Sequence, residues 1–468
     1  MTRIDQQKNY TASFGPIFRS SAIFAVVAEA RCTLSILNYW AIKNGLAVSL
    51  VFTERQLDGA LVQRTCVEFN GSHVINYHPT ISSGSVEIEA FGHRNLRIPY
   101  AAVMAIYETK TSISMVHSYG RNHSAAELED GDAILEGREG CISVRAAADV
   151  QTRAIFHNGN IPVPEQLARL IVSSRSGAER EVEFNLPALA PYETAIFDIA
   201  ELMPDFRILL GGADGWASLR FSNLSAFPRM LVLWMAKDGT LQATHTNFDY
   251  CAFETDEIEA TRPAAVALPQ LEPALHDLQL VIYPRCAAGT YRLGTGGNVA
   301  LTRGGSVHRL TGGSDCRADV EAVDRNLPSR LVAAVSGKAS ERALPFECSL
   351  GIIHERRPPK HFHWAVVDAE RTHRIYITGF ADLYPCETAI ELTLRLYGQN
   401  SLEPAERKLH FAAPDAVPAH FRLEHLFPDV GDVLNGSLGY LTLFSNWGGL
   451  MMFSSLSKMD SLTVEHSF

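Results

Sequence analysis

The hydrophobic residues of this chain recur with a period of two along much of its length. The segments 47–52, 85–90 and 374–378 alternate between apolar and polar residues or run apolar, and Gly, Asn or Pro bounds them. They are rich in β-branched and aromatic residues. Because successive side chains of a strand point to opposite faces, this pattern predicts strands with a buried face.

Helical periodicity is rare. The segments 164–172, 319–326 and 330–335 could form helices, although parts of them fit strands as well. Many short strands with turn signals between them are typical of sandwiches and open barrels. We therefore predict a mainly β fold with few short helices, made of two related β-sandwich (jelly-roll-like) halves.

An internal repeat is the basis for predicting two halves. Residues 197–216 match residues 421–440 at an offset of 224, and the match resumes at an offset of 221, where His245 meets His466. In the first match Leu202, Pro204, Asp205, Leu210, Gly212 and Gly215 fall on Leu426, Pro428, Asp429, Leu434, Gly436 and Gly439. Matched glycines predict the same backbone constraint in both copies, either a positive φ or a close approach. A shorter match of 191–196 with 385–390, at an offset of 194, leaves the register before residue 197 open.

The segment between the copies predicts a division of the chain. Residues 256–273 carry Pro263, Pro269 and Pro273 among alanines and acidic residues, a composition typical of an extended linker. We predict an N-terminal β half at 1–255, the linker at 256–273 and a C-terminal β half at 274–468.

Composition and charge narrow the classes of partner. The chain is 46% hydrophobic and 20% charged, which is typical of a globular protein and excludes a largely disordered one. A net charge of −11 disfavours a nucleic-acid or anionic-membrane binder. The apolar runs are far shorter than the ~20 residues of a membrane helix, so no membrane span is expected.

The eight cysteines favour a reducing compartment. They lie far apart and include no C-x-x-C pair, which argues against a cysteine zinc site and a small disulfide scaffold. An apolar stretch at 22–28 is at the minimum length for a signal peptide and is interpreted as a first strand. We predict a soluble, cytoplasmic protein.

Histidine is the most informative residue for chemistry, with 17 in the chain. His361 and His363 form an H-x-H pair, whose side chains lie on the same side of a strand. With a carboxylate from a neighbouring strand they would hold a divalent metal ion, as in double-stranded β-helix enzymes. The alternative is that both are surface or hydrogen-bonded core histidines.

Two further groups are candidate binding residues. His117 and His123 precede an acidic run, and Arg356, Arg357 and Lys360 form a basic patch beside His361 that suits an anionic group. The alternative explanation of the basic patch, a solvated loop, is the favoured one. The matched pair His245 and His466 fits either a functional role or a structural one, in which a ring nitrogen hydrogen-bonds to close the last strand.

The sequence supports two functional hypotheses and leaves open whether the protein is an enzyme. The first is a non-enzymatic binding or assembly protein with two β-sandwich lobes, whose ligand is a carbohydrate or a protein partner. The second is a metal-dependent enzyme of a two-lobed, bicupin-like barrel type that uses the His361-x-His363 site. A cofactor is expected only under the second hypothesis, as a divalent metal. The oligomeric state stays open.

Overall fold

The chain is mainly β, as predicted. The computed structural model describes residues 17–467 except 70, 95, 97–101, 123–138, 223, 225, 227–228, 249–256, 259–263, 284–289, 296–297, 304, 314–316, 324–326, 329–332 and 355–358. Within the described part, antiparallel sheets pair into four sandwiches, and the few helices have at most six residues.

The first sandwich spans residues 18–117. Its strands are β1 (Phe18–Val26), β2 (Arg31–Leu37), β3 (Ser49–Arg55), β4 (Leu61–Val67), β5 (Val74–Tyr77), β6 (Gly84–Gly92), β7 (Val103–Glu108) and β8 (Ile113–His117). One sheet has the order β1-β6-β3-β4 and the other β5-β2-β7-β8. Helix α1 (Tyr39–Asn44) follows β2; Asn38 caps its first turn and Gly45 ends it in the left-handed conformation.

The second sandwich spans residues 139–248. Its strands are β9 (Glu139–Val144), β10 (Val150–His157), β11 (Gln166–Ser173), β12 (Glu179–Leu186), β13 (Thr194–Asp198), β14 (Gly215–Arg220), β15 (Leu231–Ala236), β16 (Leu241–His245) and β17 (Asn247–Phe248). Helices α2 (Ile199–Leu202) and α3 (Phe206–Leu210) lie between β13 and β14. The sheet orders are β12-β11-β14-β9-β17 and β13-β10-β15-β16.

The third sandwich spans residues 264–354. Strand β18 (Glu257–Ile258) precedes it and pairs with β25 (Leu327–Pro328), which lies within that range. Its other strands are β19 (Ala264–Ala267), β20 (His276–Ile282), β21 (Thr290–Thr295), β22 (Asn298–Arg303), β23 (Ser306–Arg309), β24 (Arg317–Ala322), β26 (Ala333–Lys338), β27 (Phe346–Leu350) and β28 (Ile352–His354). The sheet orders are β22-β21-β24-β19-β28 and β23-β20-β26-β27.

The fourth sandwich spans residues 362–466. Its strands are β29 (Phe362–Val367), β30 (Thr372–Gly379), β31 (Ile390–Tyr397), β32 (Ala405–Phe411), β33 (His420–Phe421), β34 (Gly439–Ser445), β35 (Leu450–Lys458) and β36 (Ser461–His466). The 3-10 turn η1 (Pro414–Ala416) and helices α4 (Leu423–Leu426) and α5 (Val430–Leu434) precede β34. The sheet orders are β29-β34-β31-β32 and β33-β30-β35-β36.

One strand order is common to the four sandwiches of the described chain. Counting strands within each sandwich, and leaving β18 and β25 aside, sheet I has the order first-sixth-third-fourth and sheet II fifth-second-seventh-eighth. The second and third sandwiches add a ninth strand beside the first. Each predicted half contains the greater part of two sandwiches. The mainly β prediction is confirmed, whereas an internal repeat of the sequence is not.

The two matched segments nevertheless fold alike. Residues 197–216 form the end of β13, then α2, α3 and the start of β14, and residues 421–440 form the end of β33, then α4, α5 and the start of β34. Gly212 and Gly436 both have a positive φ, of 89° and 71°. A Cβ on Gly215 would collide with Leu210 and a backbone carbonyl, and a Cβ on Gly439 would collide with Leu434 and a carbonyl. Both predicted kinds of glycine constraint therefore occur.

The predicted linker contains a buried strand. Within 256–273, β19 is fully buried and pairs with both β24 and β28 inside sheet I of the third sandwich. Its sequence AAVA is apolar enough to enter a core despite the prolines around it. The division of the chain at 256–273 stays a prediction.

Sheet II of each sandwich packs on a neighbouring sandwich. From the second sandwich, Leu231, Leu233 and Leu241 join the core of the first. Sheet II of the third packs on the second, where Val281, Tyr283 and Ala334 contact Cys141 and Trp216. Sheet II of the fourth supplies Tyr376, Phe453, Leu462 and Val464 to the core of the third. The series closes where the first sandwich meets Phe362, Trp364, Val366 and Tyr440 of the fourth.

The four sandwiches thus form a closed ring, with their last sheet II strands at the centre. Strand β8 contacts β16 and β36, and β27 contacts the same two strands. Side chains bridge these strands: the Ala243 amide donates to Ser114 Oγ at 2.8 Å, and the Ile113 amide donates to Ser461 Oγ at 3.2 Å. None of the described helices is long and apolar enough to cross a membrane.

The glycine that opens β34 gives a test of this packing. We expect Gly439→Ala to lower the free energy of unfolding by about 1–3 kcal/mol, because the new methyl group meets Leu434 and a backbone carbonyl. Gly431→Ala is the matched control, since Gly431 lies in α5 with nothing near its Cβ position. The control should be neutral or slightly stabilising. Urea unfolding checks both, and equal effects of the two variants would contradict the argument.

Candidate metal centre

Three histidines meet at the centre of the ring. His117, His245 and His466 are the last residues of β8, β16 and β36, which are the eighth strands of the first, second and fourth sandwiches. Since these strands contact one another, side chains at their ends converge. His117 and His245 are buried and His466 is half-buried.

The three imidazoles are held in the same way. The Nδ1 atoms of His117, His245 and His466 lie 2.8, 2.9 and 3.2 Å from the backbone carbonyl oxygen of the following residue. A carbonyl only accepts, so each Nδ1 carries the proton. In a neutral ring Nε2 then has a lone pair, which is the form that binds a metal ion. The residue after each histidine is Ser or Thr.

His117 lies between the other members of the cluster, with His245 at its Nε2 atom and with Glu465 and His466 within ligand distance of it. His117 Nε2 lies 2.8 Å from His245 Nε2. The centroid of the His117 ring lies 4.4 Å from that of the His245 ring and 4.9 Å from that of the His466 ring. Glu465 Oε1 lies 3.8 Å from His117 Nε2 and 3.7 Å from His466 Nε2. The ligand atoms of His117, Glu465 and His466 thus lie within 4.8 Å of one another, and His245 adjoins this group through its contact with His117. The four side chains come from three sandwiches.

Burial favours the neutral forms of His117 and Glu465 when no ion is bound. Burial, with the nearby His245, His466 and Arg229, holds the pKa of His117 well below its usual value. Burial also raises the pKa of the Glu465 carboxyl well above its usual value, against a smaller opposite effect of Arg229. A cation that binds here would displace the Glu465 proton and gain a carboxylate ligand. Arg229 opposes such a cation, and the Glu465 carboxylate offsets it.

The donor set is one that transition metals prefer. Nitrogen and oxygen ligands of this kind suit Zn²⁺, and imidazoles also bind Cu²⁺ and Ni²⁺. Two nitrogens in a tetrahedral zinc shell lie about 3.3 Å apart, since each Zn–N bond is about 2.0–2.1 Å. The His117 and His245 nitrogens at 2.8 Å would have to separate by about half an ångström, which small ring rotations provide. In the described chain, the group His117, Glu465 and His466 is the one set of three such side chains with ligand atoms all within 4.8 Å.

A shared proton is the other explanation of the short contact. If His117 or His245 carried a second proton, an Nε2–H···Nε2 hydrogen bond would join the rings at the observed distance. The cluster would then be purely structural, which is the alternative that the sequence left open for His245 and His466. Metal analysis separates the two.

The predicted pair His361 and His363 occupies a different place. His361 is exposed just before β29, with Nδ1 3.0 Å from the Ser445 carbonyl oxygen. His363 is buried in β29, with Nδ1 2.9 Å from Ser467 Oγ and no hydrogen-bond partner for Nε2 among the described residues. No third ligand side chain joins them in the described part of the chain. The prediction of a metal site there stays a prediction.

The predicted binding residues fall into three groups. His117 belongs to the central cluster. Lys360 is half-buried, and its amide donates to the Gly448 carbonyl at 3.0 Å. His123, Arg356 and Arg357 lie outside the described residues.

Sequence reasoning missed Glu465 and the meeting of three sandwiches. A signal was present: the segments ISMVH, LQATH and SLTVEH each end on His followed by Ser or Thr. The third sandwich breaks this pattern, because its eighth strand reads FECSL. With two histidines already matched at one offset, a search for a third would have added His117.

Comparison with known proteins adds no further constraint. No protein-family model matches the chain, and no curated protein is significantly similar to it.

His157 gives a pH-dependent prediction. It is buried in β10, and burial lowers its pKa to about 3. The unfolded chain takes up a proton below about pH 6.5 and the folded chain does not, so this contribution to stability is complete above that pH and is lost as the pH falls towards 3. At pH 5 the loss is about 2 kcal/mol.

We expect His157→Gln to lose about 2 kcal/mol less stability than the parent chain between pH 7 and pH 5. Urea unfolding at both pH values measures this difference. His410→Gln, which changes an exposed histidine of β32, is the control and should behave as the parent. An unchanged pH dependence in His157→Gln would show that His157 is protonated in the folded chain.

Proposed function

We propose that the chain is a non-enzymatic metal-binding protein, a ring of β-sandwiches that holds one divalent transition metal ion at its centre. The ligands are His117, His466 and Glu465, and His245 joins them as a fourth after a small rotation of its ring. The observation that carries this proposal is that the ligand atoms of His117, His466 and Glu465 all lie within 4.8 Å of one another, with His245 Nε2 2.8 Å from His117 Nε2 and the Nδ1 atom of each ring on a backbone carbonyl. Structural hydrogen bonding alone would not require the same tautomer in three rings.

The ligand number favours binding over catalysis. Catalytic zinc sites commonly keep a position open for water, whereas four protein ligands complete a tetrahedral shell. Here His117, His466 and Glu465 supply three ligands, and His245, with Nε2 2.8 Å from His117 Nε2, supplies the fourth once its ring rotates towards the ion. His117, His245 and Glu465 are buried, so a substrate would have little access to the ion.

The second hypothesis, a metal-dependent enzyme using His361 and His363, has one supporting observation. His363 Nε2 is buried without a hydrogen-bond partner among the described residues, an arrangement that a ligand would relieve. A carbohydrate or protein partner and a cytoplasmic location also stay predictions.

Metal analysis of purified protein tests the proposal. We expect one Zn²⁺ per chain after loading and dialysis, and a loss of that ion in the double variant His117→Ala, His245→Ala, because two of four ligands are gone. His361→Ala, His363→Ala should keep the ion, and His410→Ala is the surface control. Metal lost only in the His361, His363 variant would support the enzyme hypothesis instead. A chain that holds no metal after loading would support the alternative explanation, in which His117 and His245 share a proton.

A second prediction concerns the contact between the first and fourth sandwiches, which the site spans. Saturating Zn²⁺ should slow hydrogen exchange of the Ile113 and Met115 amides, which donate to Ser461 and Thr463 across this contact. At a free concentration of one hundred times Kd, the opening free energy rises by up to about 2.7 kcal/mol, or about a hundredfold in exchange rate. Amides of β12, far from the site, are the internal control. Stoichiometric zinc with unchanged Ile113 exchange would contradict this prediction and leave metal binding intact.

A further inference from the structure

We propose that a cleft in the first sandwich binds a small amphipathic anion, an aliphatic chain with one terminal anionic group. The cleft opens between the turn that joins β1 to β2 and the loop that joins β5 to β6. This site is separate from the central histidines and does not depend on them.

The size and walls of the cleft suit an aliphatic body. Its volume is about 520 Å³, within the range of small-molecule sites. Val26, Val27 and Cys32 are buried in its wall, and Ile81 adds a half-buried apolar surface. Burial raises the pKa of the Cys32 thiol to about 12, so the thiol stays neutral and acts as part of the apolar wall.

Two polar side chains stand at the rim. Arg31 is 65% exposed, and its recorded ion pair uses Nη2, which leaves its other N–H groups for a ligand. His78 is exposed, and its Nδ1 lies 3.2 Å from Thr33 Oγ1. If the Thr33 hydroxyl donates to Nδ1, the Nε2–H of His78 becomes a second donor for the anion.

Arg31 belongs to a group of three cations around one carboxylate. Glu108 pairs with Arg31, Arg371 and Lys458, with the shortest distances 2.5, 3.1 and 2.7 Å. Although burial acts to raise it, hydrogen bonds from Lys458 and Arg31 bring the pKa of Glu108 to about 2, so the group stays ionised. One carboxylate is thus shared by three cations, and Arg31 is the one of these cations that lines the cleft.

Glu29, in the same turn, pairs with Arg153 at 2.9 Å, and Arg153 Nε also lies 3.7 Å from Asp198 Oδ2. An apolar wall with a cationic rim attracts a ligand of the opposite charge and matching shape. A carboxylate and a phosphate monoester share this chemistry.

Calorimetric titration of the full chain with octanoate, octyl phosphate and octanol tests the proposal. We expect both anions to bind at concentrations below about 10 mM, and octanol to bind at least about tenfold more weakly, because it lacks the charge that Arg31 pairs with. Whichever of the two anions binds more tightly identifies the preferred head group. Octanol binding as tightly as octanoate, or no binding of either anion, would overturn the proposal.

Two variants locate the binding. Ser82→Trp fills the cleft from its exposed rim and should abolish binding. Arg31→Gln should lower the affinity for octanoate at least about tenfold. Glu108 keeps Arg371 and Lys458 in the second variant, so the fold is retained. Arg64→Gln, which removes an exposed arginine of β4, is the control and should bind as the parent. Binding that survives Ser82→Trp would place the ligand elsewhere and refute the assignment.

Discussion

The ring has to close between its first and last sandwiches without a covalent link. The chain connects the first sandwich to the second, the second to the third and the third to the fourth, so these pairs stay close even when their contacts open. In the described part of the chain, the fourth and the first meet through apolar side chains, ion pairs such as Lys458 with Glu108 at 2.7 Å, and hydrogen bonds such as Tyr440 Oη to the Ser35 carbonyl at 2.6 Å. Loop closure over the whole chain costs entropy, and these contacts have to exceed that cost.

Closure of the ring also explains why potential metal ligands cluster at its centre. Four units with one strand order, packed in a ring, bring corresponding positions of their eighth strands together. A side chain that recurs in several units therefore becomes a cluster, even though the residues are more than a hundred positions apart. His117, His245 and His466 are such a case, because the His117 ring contacts both other rings, and Glu465 joins them because it precedes the last histidine.

The sequence predicts the parts of this structure that depend on local periodicity. The alternation in β31, with Ile390, Leu392, Leu394 and Leu396 all buried, is visible without coordinates. The sequence match also predicts that Gly215 and Gly439 share a backbone constraint, which is the close approach of neighbouring atoms. The ring is not visible in this way, because outward residues such as Tyr283 and Val281 look like ordinary strand residues and their partners lie in another sandwich. The short apolar segment of β19 was hidden among prolines for the same reason: its burial depends on two distant strands.

The charged groups between sandwiches address a problem that the common strand order creates. Units this similar can pack in the wrong succession, and apolar faces alone discriminate poorly between partners. Each contact carries a different polar pairing: Glu29 with Arg153, Glu347 with Arg145, Glu272 with Arg374, and Glu108 with Lys458. At the contacts of Glu272 and Glu108, a sandwich in the wrong place would leave a partly buried carboxylate without its cation, which costs more than the native pair gains. These two ion pairs therefore favour the observed order of units around the ring.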